Sequence, residues 1–291
     1  MTDLINRLTD VSDRYDALYV DLWGCLHNGI RAFPDAVAAL QEYRKRGGIV
    51  MLLTNSPRPR AAVREQLDLI GVPSDAYDDI TSSGDASQAG MLAGLVGTRV
   101  YHLGPKKDLS FFNDIDSDLD VCEIERVSIE TAQGIICTGL FDDQTETPED
   151  YRSTLLFAKQ KGMKLLCTNP DIQVDRGDKR IYCAGSVAAL YTEMGGESLY
   201  FGKPYPPIYD LARARLTKLN DIADHNILCI GDGIHTDIQG GLGDGLDTLF
   251  ITSGLAGNML GTGPENPDPS ALNAFFQKAQ VSPTASIARL R

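Results

Sequence analysis

The chain predicts an α/β protein built on a parallel sheet, and three observations carry that reading. Short apolar runs alternate with amphipathic stretches. The amphipathic stretches start at proline and stop at glycine, as helices do. An apolar run such as GIVMLLTN is continuous, typical of a strand buried on both faces. Strand and helix in βαβα order make a parallel sheet, with helices on both sides, the default arrangement.

The elements follow in order. Residues 18–23, LYVDLW, read as a strand. Residues 34–48, PDAVAALQEYRKRGG, read as a helix, with Pro34 at its start, Val37, Leu40 and Tyr43 along one stripe, and Gly47 at its stop. Residues 48–55, GIVMLLTN, read as a buried strand ending in polar residues. Residues 59–71, PRAAVREQLDLIG, repeat the helical grammar, with Val63, Leu67 and Ile70 on one side and Gly71 behind. A second round brings strands at 98–104 (TRVYHLG) and 132–139 (AQGIICTG). Within it, KQKGMKLLCTNPD (159–171) echoes RKRGGIVMLLTNSP (44–57): a basic helix end, a glycine, an apolar strand, then Thr-Asn and a proline. The third round is SLYFGKPYPPIYDLARARL (198–216), followed by HNILCIGDGIHTDIQGG (225–241). The stretch GTGPENPDPSA (261–271) reads as an acidic, Gly/Pro-rich loop before a final short helix.

Composition narrows the function classes. The 291 residues are 43% hydrophobic and 23% charged, enough to bury a core and too apolar for bulk disorder. A net charge of −13, from 40 acids against 27 bases, argues against nucleic acid or an anionic membrane as partner. The six cysteines form no CxxC pair and several lie in strand-like runs, so they read as reduced, buried thiols. The polar, acidic N-terminal stretch is no signal peptide, and no apolar run is long enough to span a bilayer. The expectation is a soluble cytoplasmic protein.

Chemistry concentrates at strand ends, where open parallel sheets bind ligands. Four ends carry unusual polar groups: Asp21, the run Thr54-Asn55-Ser56, Lys203 just beyond SLYFG, and Asp232, with Asp237 five residues later. Any strand must stop in something polar, and Asn, Ser and Pro all favour plain turns. As a set, however, the groups make chemical sense. Asp21 and Asp232 suit Mg²⁺, which prefers oxygen ligands. Thr54 and the backbone N–H groups after it suit a phosphoryl oxygen, and Lys203 offsets the crowd of negative charge. Asp21 is then placed to attack phosphorus as a carboxylate nucleophile.

DLWG at 21–24, LLTN at 52–55, GKP at 202–204 and GDGIHTD at 231–237 resemble, in order and spacing, the four motifs of the haloacid dehalogenase superfamily. GSVAALYTEMGG (185–196), CTNPD (167–171) and GKPYPPIYD (202–210) look like its class IIA branch of p-nitrophenyl phosphatase-like enzymes, and the similarity covers residues 15–255. The resemblance implies a Rossmann-like core, 1–84 plus 185–291, interrupted by an α/β cap of the C2 type at 85–184. Cap-mediated homodimers belong to the same expectation. It implies Asp21 as nucleophile and Mg²⁺ ligand, the backbone carbonyl of Trp23 and the Asp232 carboxylate as further ligands, and Asp237 as a partner of the metal or its water. Thr54, Asn55 and Ser56 would take the phosphoryl group, Lys203 its charge and that of Asp21, and Asn169 a place in the substrate-specificity loop. The implied activity is phosphatase action on a small phosphorylated metabolite.

One position departs from the family pattern. Where DxD is usual, residues 21–23 read Asp-Leu-Trp, and an indole cannot protonate a leaving group. His27, on the loop that covers the site in this family, is either a substrate-contacting surrogate acid or a loop histidine. His235 reads as peripheral and Cys25 as a packed small residue. Two rival functions stay open: a nearly silent relative that binds a phosphorylated ligand, and cleavage of a C–P or C–halogen bond that needs no second acid.

Overall fold

The computed structural model describes residues 2–116, 119, 122–177, 179–261 and 267–291, and its strands form two separate parallel sheets and a hairpin. In chain order the strands are β1 (Asp3–Leu4), β2 (Ala17–Val20), β3 (Ile49–Thr54), β4 (Asp79–Ser82), β5 (Arg99–Leu103), β6 (Glu125–Arg126) and β7 (Gly134–Cys137). They continue as β8 (Lys164–Cys167), β9 (Gln173–Arg176), β10 (Lys179–Tyr182), β11 (Glu197–Tyr200), β12 (Ile227–Gly231), β13 (Asp247–Ile251) and β14 (Ala285–Ile287). The larger sheet runs β1-β14-β13-β12-β2-β3-β4, and the smaller β11-β8-β7-β5-β6. Neighbours within both sheets are parallel, while β9 and β10 pair antiparallel.

The apolar runs are buried on both faces, and the strand period of two shows why. Leu18, Val20, Val50, Leu52, Leu228 and Ile230 pack into one cluster. The intervening Ala17, Tyr19, Met51, Leu53, Ile227 and Cys229 pack into another. The helix Pro34–Lys45 has proline in its first turn and buries Ala36, Leu40 and Tyr43. The helix Arg60–Ile70 buries Val63 and Leu67 and stops at Gly71, whose φ of 84° is the left-handed cap that glycine adopts without strain. The smaller sheet repeats the plan, with Leu103, Ile135, Cys137, Leu165 and Cys167 on one side and Val100, Ile136 and Leu166 on the other.

Two expectations change here. Strand β11 and the helix Ala184–Glu193 were expected in the core segment, which the resemblance begins at 185. Instead β11 pairs with β8 along Glu197–Tyr200, and the helix packs into the smaller sheet's cluster. The sheet boundary therefore falls after Tyr200, because the apolar face of this unit finds its partners in the smaller sheet. At the other connection, Arg215 of the helix Pro206–Leu219 is buried, and its guanidinium donates to Ile80 O, Asp85 Oδ2 and Asp116 Oδ2. The loop expected at 261–271 falls partly on 262–266, which lie outside the described residues; the helix after it is Pro269–Ala279, capped by the Asp268 carboxylate. Among the described residues no helix is long and apolar enough to cross a membrane.

Candidate active site

The carboxyl ends of both sheets open on one cavity of about 920 Å³. From the larger sheet come Asp21 and Trp23 after β2, Thr54, Asn55 and Ser56 at the end of β3, and Asp232 and Asp237 after β12. Across from them stand Asp108, Thr138, Asn169 and Asp171, after β5, β7 and β8 of the smaller sheet. Lys203 lies on the segment that returns from β11 to the helix Pro206–Leu219, so it does not follow a strand of the same sheet as Asp21.

Lys203 is the centre of the arrangement. Its ammonium, 2% exposed, donates to Asp21 Oδ1 at 2.7 Å, Leu53 O at 2.8 Å and Asp237 Oδ1 at 2.5 Å. An ammonium has three protons, and these contacts account for all of them. Burial works against the charged lysine, but Asp21 and Asp237 outweigh it and hold its pKa above the usual range. Burial likewise pushes the Asp21 carboxyl up to about 7, against the pull of Lys203 and with a further push from Asp237.

Asp232 takes a different partner, the Leu255 N–H at 2.8 Å, and burial followed by the charges of Asp21 and Asp237 raises its pKa. The backbone comes close to its carboxylate on two sides: a Cβ at Gly24 or at Gly254 would collide with Oδ2. At Gly24, where φ is +78°, this lays the Trp23–Gly24 backbone directly against Asp232. Asp21, Asp232 and Cys25 bring ligand atoms within 4.8 Å of one another. The Asp237 carboxylate is instead turned to Lys203 and to the Gly233 N–H at 3.0 Å, which makes it a positioning partner of the lysine. Burial, then the nearby carboxylates, keep the Cys25 thiol protonated well above its usual range, in keeping with a packed residue.

Three expected substrate contacts change character. The Asn55 side chain is committed: Oδ1 accepts from Lys203 N–H at 2.8 Å, and Nδ2 donates to Lys203 O at 3.1 Å and to Asp171 Oδ1 at 2.9 Å. It fixes the lysine's backbone and leaves no amide group to offer a phosphate. Asn169 reaches the cavity wall, but its Oδ1 closes a turn onto Asp171 N–H at 3.0 Å. His27 does not line the cavity. It is 1% exposed, packs edge-to-face on Trp23 with ring centroids 5.4 Å apart, and accepts the Gly29 N–H on Nδ1 at 3.0 Å. Burial pushes its pKa down to about 4, so it is neutral and is no surrogate acid. His235 is exposed on the π-helical turn Ile234–Ile238, beside Gln239.

Thr54 and Ser56 do stand at the cavity, with Ser56 N–H donating to Thr54 Oγ1 at 3.2 Å. Trp23 lines it too, its indole lying against Gly29, while the Asn28 carbonyl of the same loop accepts from Gly177 N–H of the β9–β10 turn at 3.1 Å. Asp171, Asp108, Arg58 and Thr138 were barely marked by sequence pattern. For Asp171 the signals were its place in CTNPD and the Thr-Asn-Pro echo, whose two copies meet through the Asn55–Asp171 hydrogen bond. The others lie in turns with no motif.

Comparison with known proteins gives this geometry its family. A haloacid dehalogenase-like hydrolase family model matches residues 18–117, and a second, HAD-hydrolase-like model matches residues 200–273. A haloacid dehalogenase-like hydrolase from Brucella suis 1330 is 37% identical in a solved structure, with a TM-score of 0.86 over 99% of this chain and all of that one. The chain belongs to the haloacid dehalogenase-like hydrolase family. It is also similar to a dihydroxyacetone phosphatase of Corynebacterium glutamicum, 36% identical over 33% of this chain and 34% of that protein. A D-glycerol 3-phosphate phosphatase of Mycobacterium tuberculosis is 27% identical over 85% of this chain and 66% of its own length. The matches thus span about a third and about two thirds of these two relatives. The fold of a glycerol phosphate phosphatase from the same organism, solved with magnesium, superposes with a TM-score of 0.64 at 22% identity over 84% of this chain and 70% of that one.

Proposed function

We propose that this hydrolase is a Mg²⁺-dependent phosphatase of small phosphorylated metabolites, acting through a phosphoryl group carried on Asp21. The core of this reading comprises residues 1 to about 84 together with the chain beyond Tyr200, the cap being the segment between. One observation carries the chemistry: three carboxylates, Asp21, Asp232 and Asp237, are buried in the site, and its one buried ammonium, Lys203, pairs with Asp21 and Asp237 alone. Buried charge needs compensation, and among the described residues Asp232 has no cation within 4 Å. A divalent ion fits that deficit, and the donor set, two carboxylates with a backbone carbonyl alongside, is the all-oxygen kind that Mg²⁺ takes. Asp21, Asp232 and the Trp23 carbonyl would hold it. Phosphatases among the relatives, and magnesium in one structural neighbour, support the same reading.

The ionised Asp21 carboxylate attacks phosphorus. A bond forms from its oxygen as the bond to the leaving oxygen breaks, and the leaving group departs with the bonding pair. Water then attacks the aspartyl-phosphate, the bond to Asp21 breaks, and inorganic phosphate is released with the carboxylate restored. Lys203, which donates to Asp21 Oδ1 and is fixed there by Leu53 O and Asp237 Oδ1, offsets the charge that gathers in both halves. The Thr54 hydroxyl and the backbone after β3 receive the phosphoryl oxygens. Mg²⁺, when bound, supplies charge neutralisation to the transferring group.

Trp23 and the neutral His27 leave the departing oxygen without a positioned acid, so its proton comes from water. General acid catalysis is typically worth about 10²–10⁴-fold, and aryl phosphates need it least. The deciding experiment is steady-state hydrolysis of p-nitrophenyl phosphate and an alkyl phosphate of similar size, with Mg²⁺ and with EDTA, in wild type and Asp21→Asn. Metal-dependent turnover biased to the aryl ester and abolished in Asp21→Asn is expected. Turnover that survives Asp21→Asn removes the nucleophile. Mg²⁺ binding without any turnover moves the function to a phosphoryl-ligand-binding relative, the reading that Trp23 favours.

A further inference from the structure

At the far wall of the cavity a second polar group stands apart from the metal-side carboxylates. Asp108, in the turn after β5, is 3% exposed yet lines the cavity. Burial pushes its pKa up to about 6, against the Arg58 and Lys107 charges and a hydrogen bond from Thr138. Thr138, after β7, is itself buried, and its hydroxyl is 2.9 Å from His102 Nε2. Burial pushes the His102 pKa down to about 4, so the ring beside Thr138 is neutral, and the Thr138 hydroxyl donates to Asp108. The cation facing Asp108 is Arg58, with Nε at 3.7 Å from Oδ1, beyond hydrogen-bonding distance. A carboxylate offers about four acceptor positions, and this one is poorly supplied.

We propose that Asp108, Arg58 and Thr138 form a hydroxyl-binding subsite that makes the enzyme selective for phosphorylated polyols. This inference rests on the phosphatase reading for its reaction but on separate residues for its recognition. A hydroxyl in the gap donates to Asp108 while accepting from Arg58, and a neighbouring hydroxyl reaches Thr138. Arg58 faces Asp108 across the gap, and Asp175 is engaged by the Arg180 guanidinium. Lys107 is already paired with Asp143 at 3.0 Å. An apolar group placed here would leave Asp108 with no hydrogen bond beyond that from Thr138, which is costly for a carboxylate.

Glycerol phosphate and propyl phosphate differ only in hydroxyls, so their kcat/KM ratio reads the subsite. The wild type should prefer glycerol phosphate, and Asp108→Asn should lower the ratio about tenfold, chiefly through KM, because a site built for a hydroxyl discriminates against its absence. Thr138→Val should lower it in the same direction, and thermal midpoints of both variants confirm that each is folded. A ratio near one in wild type, or equal losses on both substrates in Asp108→Asn, would overturn the proposal. Calorimetric binding of the two phosphates to Asp21→Asn separates this inference from the phosphatase reading. A preference for glycerol phosphate there, lost in Asp21→Asn/Asp108→Asn, supports the subsite even if wild type shows no turnover; equal affinities overturn it.

Discussion

Replacing Lys203 by Met removes the ammonium while keeping most of the buried volume, and the structure sets both the size and the pH dependence of the result. The three contacts of Nζ lie in a nearly solvent-free site, and removing one partner of a buried ion pair costs about 3–5 kcal/mol. That corresponds to a fall in Tm of roughly 10 °C for a chain of this size. The sign with pH follows from Asp21. Its folded pKa of about 7 is raised above the 3.8 of a free aspartate, so its contribution to stability is fully present below about 3.8 and is lost as pH rises towards 7. Without Lys203 the carboxyl rises further and the loss continues above pH 7. Each additional pH unit costs about 1.4 kcal/mol for each carboxyl that keeps its proton in the folded state. Thermal unfolding in EDTA at pH 5.5, 7 and 8.5 should therefore show a penalty that grows with pH. Mg²⁺ should stabilise the variant most at pH 8.5, and turnover should fall by at least about 10²–10³-fold. A penalty that is the same at all three pH values would refute the account of Lys203 as charge compensation for Asp21.

Trp23→Asp should raise kcat for alkyl phosphates by ten-fold or more, within the roughly 10²–10⁴ range for general acid catalysis, and change p-nitrophenyl phosphate less; no gain would show that the absent acid does not limit turnover. Gly24→Ala places a methyl group on the Asp232 carboxylate at a φ of +78°, so the Mg²⁺ concentration for half-maximal activity should rise at least about tenfold, and an unchanged value would remove Asp232 from the metal site. Arg215→Met breaks the buried bonds to Asp85 and Asp116, so Tm should fall by roughly 10 °C while KM at 25 °C stays near wild type, since Arg215 does not line the cavity. A shifted KM with unchanged Tm would contradict that assignment.

The local pattern of the chain determined a good deal by itself. Strands β2, β3 and β12, the helices that follow the first two of these, and the polar groups at their carboxyl ends were legible because burial on both faces writes an unbroken apolar run and helix ends carry their own stop signals. The missing acid at Trp23 was legible too, since an indole has no proton to give whatever surrounds it. Tertiary structure alone decided the rest. Strand β11 reads like any core strand, and only its pairing with β8 places it in the other sheet. Asn55 looks like a phosphate ligand until its amide is seen bound on three sides to Lys203 and Asp171. His27 has a near-neutral pKa in the sequence, and burial against Trp23 makes it inert. Asp108 and Arg58 are 50 positions apart in the sequence and belong to no motif. A sequence records what a residue can donate or accept, but the partners that use up that capacity arrive from distant segments, and burial sets what each unmet group costs.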